Sequence, residues 1–134
     1  MKQQEELKVL VIDDSQHVHT MLKFILRKEG INSVYFSLNG FDGIKLAEEI
    51  QPDIIFLDNV MPKVGGLEVL AELRSKGYTT KIVMLSSVIS ENGVKKAKEL
   101  GADYYIVKPF TPEKIKQVIN KFFVTEELEL QNNL

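Results

Sequence analysis

Five short apolar runs alternate along the chain with longer segments in which apolar residues recur every three or four positions. Four runs, at 8–12, 54–57, 81–85 and 104–107, are continuous enough for strands buried on both faces, and a weaker one spans 32–36. The longer segments have the spacing of helices that place one apolar face against a sheet. The pattern predicts five strands and five helices in strict alternation.

Residues that begin and end helices lie between these segments. Asp14 or Ser15 can cap the first helix, and Gly30 lies just beyond its end. Gly77 and Gly101 end the third and fourth helices in the same way. Such alternation is typical of an α/β domain, a parallel sheet with helices on both faces. In these sheets ligands bind beyond the carboxyl ends of the strands, where the strand order reverses.

Composition narrows the class of protein. The 134 residues fit a single domain, with a core expected at about 8–123 and an acidic, then polar, tail over 124–134. A formal charge of −2 argues against a nucleic-acid-binding surface, and the absence of cysteine excludes thiolate zinc sites and thiol catalysis. No apolar run approaches the roughly 20 residues of a membrane span, and the N-terminus does not have the pattern of a signal peptide. We therefore expect a cytoplasmic protein that binds neither nucleic acid nor membrane.

Polar residues follow four of the five strands. Asp13 and Asp14 follow the first strand, Asp58 the third, Ser86 the fourth and Lys108 the fifth. Taken singly, an aspartate here can be a helix cap, the serine a turn residue and the lysine a solvated surface cation. Taken together, three carboxylates at one sheet edge repel one another unless a hard cation compensates them, and Mg²⁺ prefers oxygen ligands of this kind. The set favours a site at this edge of the sheet.

Four motifs carry a resemblance to a known family. The segments VIDDS at 11–15, FLDNVMP at 56–62, LSS at 85–87 and VKPF at 107–110 together resemble the receiver domain of two-component response regulators. Each motif alone is weak, but the ordered set is highly specific and the resemblance runs over about 8–123. It implies a flavodoxin-like fold, a doubly wound five-stranded parallel sheet with five helices and strand order 2-1-3-4-5.

The resemblance also implies a phosphorylation site. Asp58 would be the phosphoacceptor, whose carboxylate attacks a phosphoryl group to give an aspartyl phosphate. Asp14, Asp58 and the backbone carbonyl of Val60 would bind Mg²⁺ directly, and Asp13 would act through a water. Lys108 would offset charge on the phosphoryl oxygens together with the metal.

A switch is implied by the same resemblance. Ser86 would bond the attached phosphoryl group, and Tyr105 would then rotate inward and change the surface formed by the fourth helix, fifth strand and fifth helix. From the residues alone, Tyr105 is read as a half-buried strand aromatic. The implied partners are a histidine kinase and either a downstream target protein or a histidine phosphotransfer protein, which leaves a chemotaxis-type regulator and a phosphorelay intermediate equally open. We expect a monomer or a phosphorylation-dependent dimer.

Some positions depart from the family pattern. Gly65 stands where receivers often have an acidic residue, so the third helix lacks a side-chain cap, and Ser86 replaces threonine at the switch position. Val60 and Val88 occupy positions thought to influence access of hydrolytic water, and neither can orient a water molecule. We therefore expect slow self-dephosphorylation. His17 lies near Asp14 and is expected to contact the kinase.

Other functions fit less well. A Mg²⁺-dependent phosphatase of the haloacid-dehalogenase type needs an acidic residue two positions after its aspartate nucleophile, but Val60 follows Asp58 and Ser15 follows Asp13. A dinucleotide or flavin module would need a glycine-rich phosphate loop at the first helix, which is missing. We expect a protein that catalyses only its own phosphorylation and dephosphorylation rather than an enzyme. A receiver fragment of a larger transcriptional regulator is a further alternative, although the chain ends soon after the fifth helix, with no room for a DNA-binding domain.

Overall fold

The computed structural model describes residues 6–87 and 90–123, and its elements alternate as predicted. The tail over 124–134 and Val88 lie outside the described residues. The strands and helices, in chain order, are β1 (Lys8–Ile12), α1 (Gln16–Lys28), β2 (Ser33–Ser37), α2 (Gly40–Ile50), β3 (Ile54–Asp58), α3 (Gly66–Ser75), β4 (Lys81–Ser86), α4 (Glu91–Glu99), β5 (Tyr104–Val107) and α5 (Pro112–Phe122).

The five strands form one parallel sheet in the order β2-β1-β3-β4-β5, so the predicted flavodoxin-like fold is confirmed. The order reverses between β1 and β3, the point at which such sheets bind ligands. In register, Asp58 of β3 pairs with Leu85 of β4, and Ser86 pairs with Val107 of β5. The polar residues that end these strands therefore meet at one edge of the sheet.

The core consists of two clusters, one on each face of the sheet. Because successive strand side chains point to opposite faces, Val9 and Val11 of β1 pack with α1 and α5, while Leu10 and Ile12 pack with α2, α3 and α4. All five residues of β3 are buried, as expected for the central strand of a sheet covered on both faces.

Sequence and structure differ by one residue at several element ends. β3 and β4 each extend one residue further than predicted, to Asp58 and Ser86. β2 begins at Ser33 and ends at Ser37, one residue later than predicted at each end, and α4 ends at Glu99, one residue before the predicted end. Ser15 caps α1, since its side chain accepts a hydrogen bond from the Val18 amide. Gly65 is the residue just before α3, and it provides no side-chain cap for this helix, as expected. Among the described residues, no helix is both long and apolar enough to cross a membrane.

Arg74, near the end of α3, ties together the loops before β4 and β5. Its guanidinium donates to the backbone carbonyls of Tyr78, Thr80 and Gly101 at 2.7, 2.8 and 3.0 Å. It also pairs with Asp103 at 3.0 Å, and this carboxylate accepts the Ile82 amide. These loops lie at the amino ends of the strands, opposite the edge that carries the polar residues. The arginine thus fixes the end of the sheet that does not carry the candidate chemistry.

Candidate functional site

Three carboxylates come together at the carboxyl edge of the sheet. Asp13 and Asp14 stand in the loop between β1 and α1, and Asp58 is the last residue of β3. One carboxylate oxygen from each lies within 4.8 Å of the others. Asp13 is fully buried and Asp58 is 4% exposed, whereas Asp14 faces solvent. The structure therefore assembles the acidic group that the strand ends predicted.

Lys108 brings a positive charge to this group from the end of β5. Its Nζ lies 2.8 Å from Asp13 Oδ2 and 3.5 Å from Asp58 Oδ1. The Lys108 backbone amide donates to the Ser86 carbonyl at 2.8 Å, which fixes the start of the lysine side chain beside β4. The lysine is thus held at the site rather than solvated on the surface.

The electrostatics of the site depend on burial and on charge pairing. Burial and, to a lesser extent, the Asp13 charge raise the pKa of Asp58, Lys108 and the Val60 amide oppose them, and the resulting pKa is about 6. Burial lowers the pKa of Lys108, but its hydrogen bond with Asp13 and the charges of Asp13 and Asp58 outweigh burial, so this pKa lies above its usual value. One lysine leaves three neighbouring carboxylates with uncompensated negative charge. Such a set of hard oxygen donors fits a divalent cation such as Mg²⁺.

A glycine allows α3 to begin directly against the end of β3. A Cβ atom at Gly66 would lie 2.2 Å from the Asp58 carbonyl oxygen and 2.7 Å from the Asn59 Cα. The Gly66 amide donates to the Asn59 carbonyl at 3.0 Å across this close approach. Sequence reasoning considered only Gly65, as a position without a side-chain cap, and the structure shows that the next glycine leaves room for the backbone of Asp58.

Ser86 and Tyr105 occupy the next two strands. Ser86 ends β4 at the same edge and is fully buried. Tyr105 is half-buried in β5, and its hydroxyl accepts a hydrogen bond from Asn59 Nδ2 at 3.3 Å. Sequence reasoning missed Asn59, although a side-chain amide directly after a strand-end aspartate is a polar group at the ligand-binding edge.

The two histidines of α1 are separated by the structure. His17 is exposed beside the loop that carries Asp14. His19 is buried, and its ring centroid lies 5.0 Å from that of Phe36. They do not share a face of the helix, so they do not form a metal site together.

Comparison with known proteins gives consistent relatives. The model of the response regulator receiver domain family matches residues 9–120. The chemotaxis protein CheY of Listeria monocytogenes is 35% identical over 115 residues, which cover 86% of this chain and 97% of that protein. The CheY of Listeria innocua matches with the same identity and coverage.

Solved structures agree with the sequence matches. The Vibrio cholerae chemotaxis protein CheY4 is 28% identical, with a TM-score of 0.81 over 87% of this chain and 98% of its own. The CheY of a Borrelia burgdorferi complex with CheX, BeF3 and Mg²⁺ is 29% identical, with a TM-score of 0.83 over 89% of this chain and 90% of its own.

The matched span of the family model begins in β1 and ends within α5. It therefore includes every strand of the sheet and the whole acidic group at the carboxyl edge. The strand order, the polar strand ends and the sequence matches agree over nearly the full described fold. The chain belongs to the response regulator receiver domain family.

Proposed function

We propose that this chain is a phosphoacceptor response regulator in two-component signal transduction, and that Asp58 accepts a phosphoryl group from a histidine kinase in an Mg²⁺-dependent step. The observation that carries the proposal is the cluster of three carboxylates within 4.8 Å of one another, with Lys108 Nζ between Asp13 and Asp58. A carboxylate at a strand end, next to a cation, is suited to attack phosphorus.

The residues present fit a bound metal ion. Asp14, Asp58 and the backbone carbonyl of Val60 would hold Mg²⁺ directly, and Asp13 would contact it through a water. When bound, the ion offsets negative charge on the phosphoryl oxygens. The Borrelia burgdorferi relative, solved with Mg²⁺, supports this choice of metal.

With the metal ion bound, the side chains already assembled would carry out the phosphoryl transfer. An oxygen of Asp58 attacks phosphorus, the bond from phosphorus to the histidine nitrogen of the kinase breaks, and the electron pair of that bond returns to the imidazole. A pKa of about 6 leaves Asp58 mostly ionised at neutral pH, as a nucleophile must be. Lys108 compensates charge on the equatorial oxygens, and Ser86 donates to the phosphoryl group once attached. The protein catalyses only its own phosphorylation and dephosphorylation.

The output is a changed protein-binding surface. Ser86 and Tyr105 link the acceptor to the face formed by α4, β5 and α5, which would bind a downstream target protein or a histidine phosphotransfer protein. A relative crystallised with CheX supports a protein partner. A phosphatase of the haloacid-dehalogenase type gains no support, because exposed, aliphatic Val60 stands where that chemistry needs an acid.

The test is intact mass after incubation with Mg²⁺ and acetyl phosphate. We expect the mass of one added phosphoryl group on the parent protein and none on Asp58→Asn or in an EDTA control. The matched control is Asp42→Asn, which neutralises an exposed aspartate of α2 and is expected to accept phosphate as the parent does. An adduct that persists in Asp58→Asn would show a different acceptor. No adduct with acetyl phosphate or with a panel of histidine kinases would overturn the proposal.

A further inference from the structure

Asn59 has a fixed backbone position directly after the phosphoacceptor. Its amide donates to the Leu85 carbonyl at 2.9 Å, and its carbonyl accepts the Gly66 amide at 3.0 Å. Of the two residues that flank Asn59, Val60 donates its amide to Asp58 Oδ1 at 3.3 Å. The loop that follows Asp58 is therefore held by β4, by α3 and by the acceptor carboxylate itself. The Asn59 side chain therefore starts from a backbone position that the acceptor residue helps to fix.

The Asn59 side chain reaches across one strand to β5. Its Nδ2 donates to the Tyr105 hydroxyl at 3.3 Å, although 46 residues separate the two in sequence. Tyr105 pairs in register with Met84 of β4, which lies between β3 and β5. Its half-buried ring packs on the cluster between the sheet and α2, α3 and α4. The hydrogen bond holds the tyrosine hydroxyl toward the carboxyl end of β3.

We propose that Asn59 is a positioning residue of the switch, which couples phosphoryl occupancy at Asp58 to the position of Tyr105 along a route separate from Ser86. The inference rests on the proposed function and deepens it. Coupling between two sites is reciprocal. A contact that stabilises one position of Tyr105 therefore also strengthens the binding of any ligand that favours that position. In the proposed coupling, the position with the Tyr105 hydroxyl held toward the carboxyl end of β3 is the one that a phosphoryl group favours, so Asn59 strengthens binding of a phosphoryl group or its mimic at Asp58.

The size of the effect is set by one neutral, partly buried hydrogen bond. Loss of such a bond corresponds to an affinity change of about two- to tenfold. Tyr105→Phe removes the hydroxyl that accepts this bond, so the two substitutions share this interaction whatever else each side chain contacts. A double-mutant cycle separates this case from two independent structural effects.

The experiment measures the affinity for beryllium trifluoride in the presence of Mg²⁺. The proteins are the parent, Asn59→Leu, Tyr105→Phe and the double variant, with Asn59→Ala in parallel because it adds no apolar side chain. We expect each single variant to bind about two- to tenfold more weakly, and the double variant to bind no more weakly than Tyr105→Phe. Asn32→Leu, at an exposed asparagine before β2, is expected to bind as the parent does.

A spectroscopic measurement follows Tyr105 directly. In protein labelled with 3-fluorotyrosine, the ¹⁹F resonance of Tyr105, assigned with Tyr105→Phe, is expected to shift when beryllium trifluoride binds. The shift should be smaller in Asn59→Ala and should partly persist in Ser86→Ala, because the Asn59 route remains.

Three results would overturn the inference. They are unchanged affinity in both Asn59 variants, additive losses in the double variant, and a Tyr105 resonance that responds equally with and without Asn59. In each case the parent still binds the phosphoryl mimic, so the proposed function stands. If the parent takes neither the mimic nor a phosphoryl group from acetyl phosphate, the proposed function fails and this inference fails with it.

Discussion

Lys108 lies closer to Asp13 than to Asp58. Its Nζ is 2.8 Å from Asp13 Oδ2 and 3.5 Å from Asp58 Oδ1. Lys108 therefore pairs more strongly with the fully buried Asp13, and it compensates the negative charge of Asp58 less completely. Burial and the Asp13 charge outweigh the effect of Lys108, so the pKa of Asp58 is raised to about 6. Asp58, the proposed phosphoacceptor, is thus mostly ionised at neutral pH, at a cost in stability that a bound cation would relieve.

The first prediction concerns pH and stability. The pKa of Asp58 is about 6 in the folded protein against 3.8 for an unperturbed aspartate, so the folded state binds this proton more tightly than the unfolded state. The free energy of unfolding should therefore fall as the pH rises between these two values, by about 3 kcal/mol at most. Asp58→Asn has no carboxyl group to ionise at this position, so its free energy of unfolding should not show this decrease. In EDTA, urea unfolding should show the variant more stable than the parent above about pH 7, with the difference shrinking toward pH 4.

Asp42→Asn, at an exposed aspartate of α2, is the matched control for charge removal. If the parent and Asp58→Asn differ by the same amount at both ends of the pH range, ionisation of Asp58 does not carry the effect.

The second prediction concerns the metal. Mg²⁺ should raise the free energy of unfolding of the parent, by about 2.7 kcal/mol at a hundredfold excess over its dissociation constant. Asp14→Asn should lose most of this gain because it removes an oxygen ligand with a full charge. Thermal unfolding over a Mg²⁺ titration measures the effect, and EDTA should reverse it. Equal stabilisation of both proteins by Mg²⁺ would place the ion elsewhere.

The third prediction concerns the close approach of α3 to β3. Gly66→Ala places a Cβ atom 2.2 Å from the Asp58 carbonyl oxygen, so the backbone at the acceptor must move. We expect a loss of about 1–3 kcal/mol in the free energy of unfolding and slower phosphorylation by acetyl phosphate. Gly65→Ala is the control, since its Cβ would come no closer than 3.7 Å to the Asn59 carbonyl oxygen. Similar behaviour of the two alanine variants would contradict the steric argument.

The fourth prediction separates stability from chemistry. Arg74→Met leaves three backbone carbonyls and Asp103 without their guanidinium partner, which should lower the free energy of unfolding by about 2–4 kcal/mol. Arg27→Met, at an exposed arginine of α1, should change it by less than about 0.5 kcal/mol. Below its melting temperature Arg74→Met should accept a phosphoryl group at the parent rate. A slow but fully folded variant would show that Arg74 also acts on the site.

The fifth prediction concerns the lifetime of the phosphoprotein. Val60 is 60% exposed beside the site, and its side chain carries no group that could orient a water molecule. Purified phosphoprotein in Mg²⁺ buffer should therefore lose its phosphoryl group slowly, and Val60→Gln, which adds an amide, should speed the loss. Intact mass over time measures both rates. Decay of the parent within seconds would refute this prediction.

Sequence reasoning located the acidic group because the topology of a parallel sheet is regular. The carboxyl ends of parallel strands lie at the same edge of a sheet. Once the strands are identified, Asp13, Asp58 and Lys108 can therefore be assigned to one edge from the sequence alone. The ends of β2 were displaced by one residue because an edge strand is only partly buried and its apolar pattern is weak. The contact from Asn59 to Tyr105 depends on register and side-chain direction across β4, and neither can be read from spacing along the chain.

Arg74 lies at one end of the sheet and Asp58 at the other, and within residues 6–87 and 90–123 they share no hydrogen-bond partner. Substitutions at sites this far apart have additive effects on stability. A loss of stability caused by a substitution at the carboxyl edge should therefore add to, and not alter, the effect of a substitution at Arg74. Stability lost near Asp58 can be restored by changes at the opposite end of the sheet that leave the carboxylate group as it is.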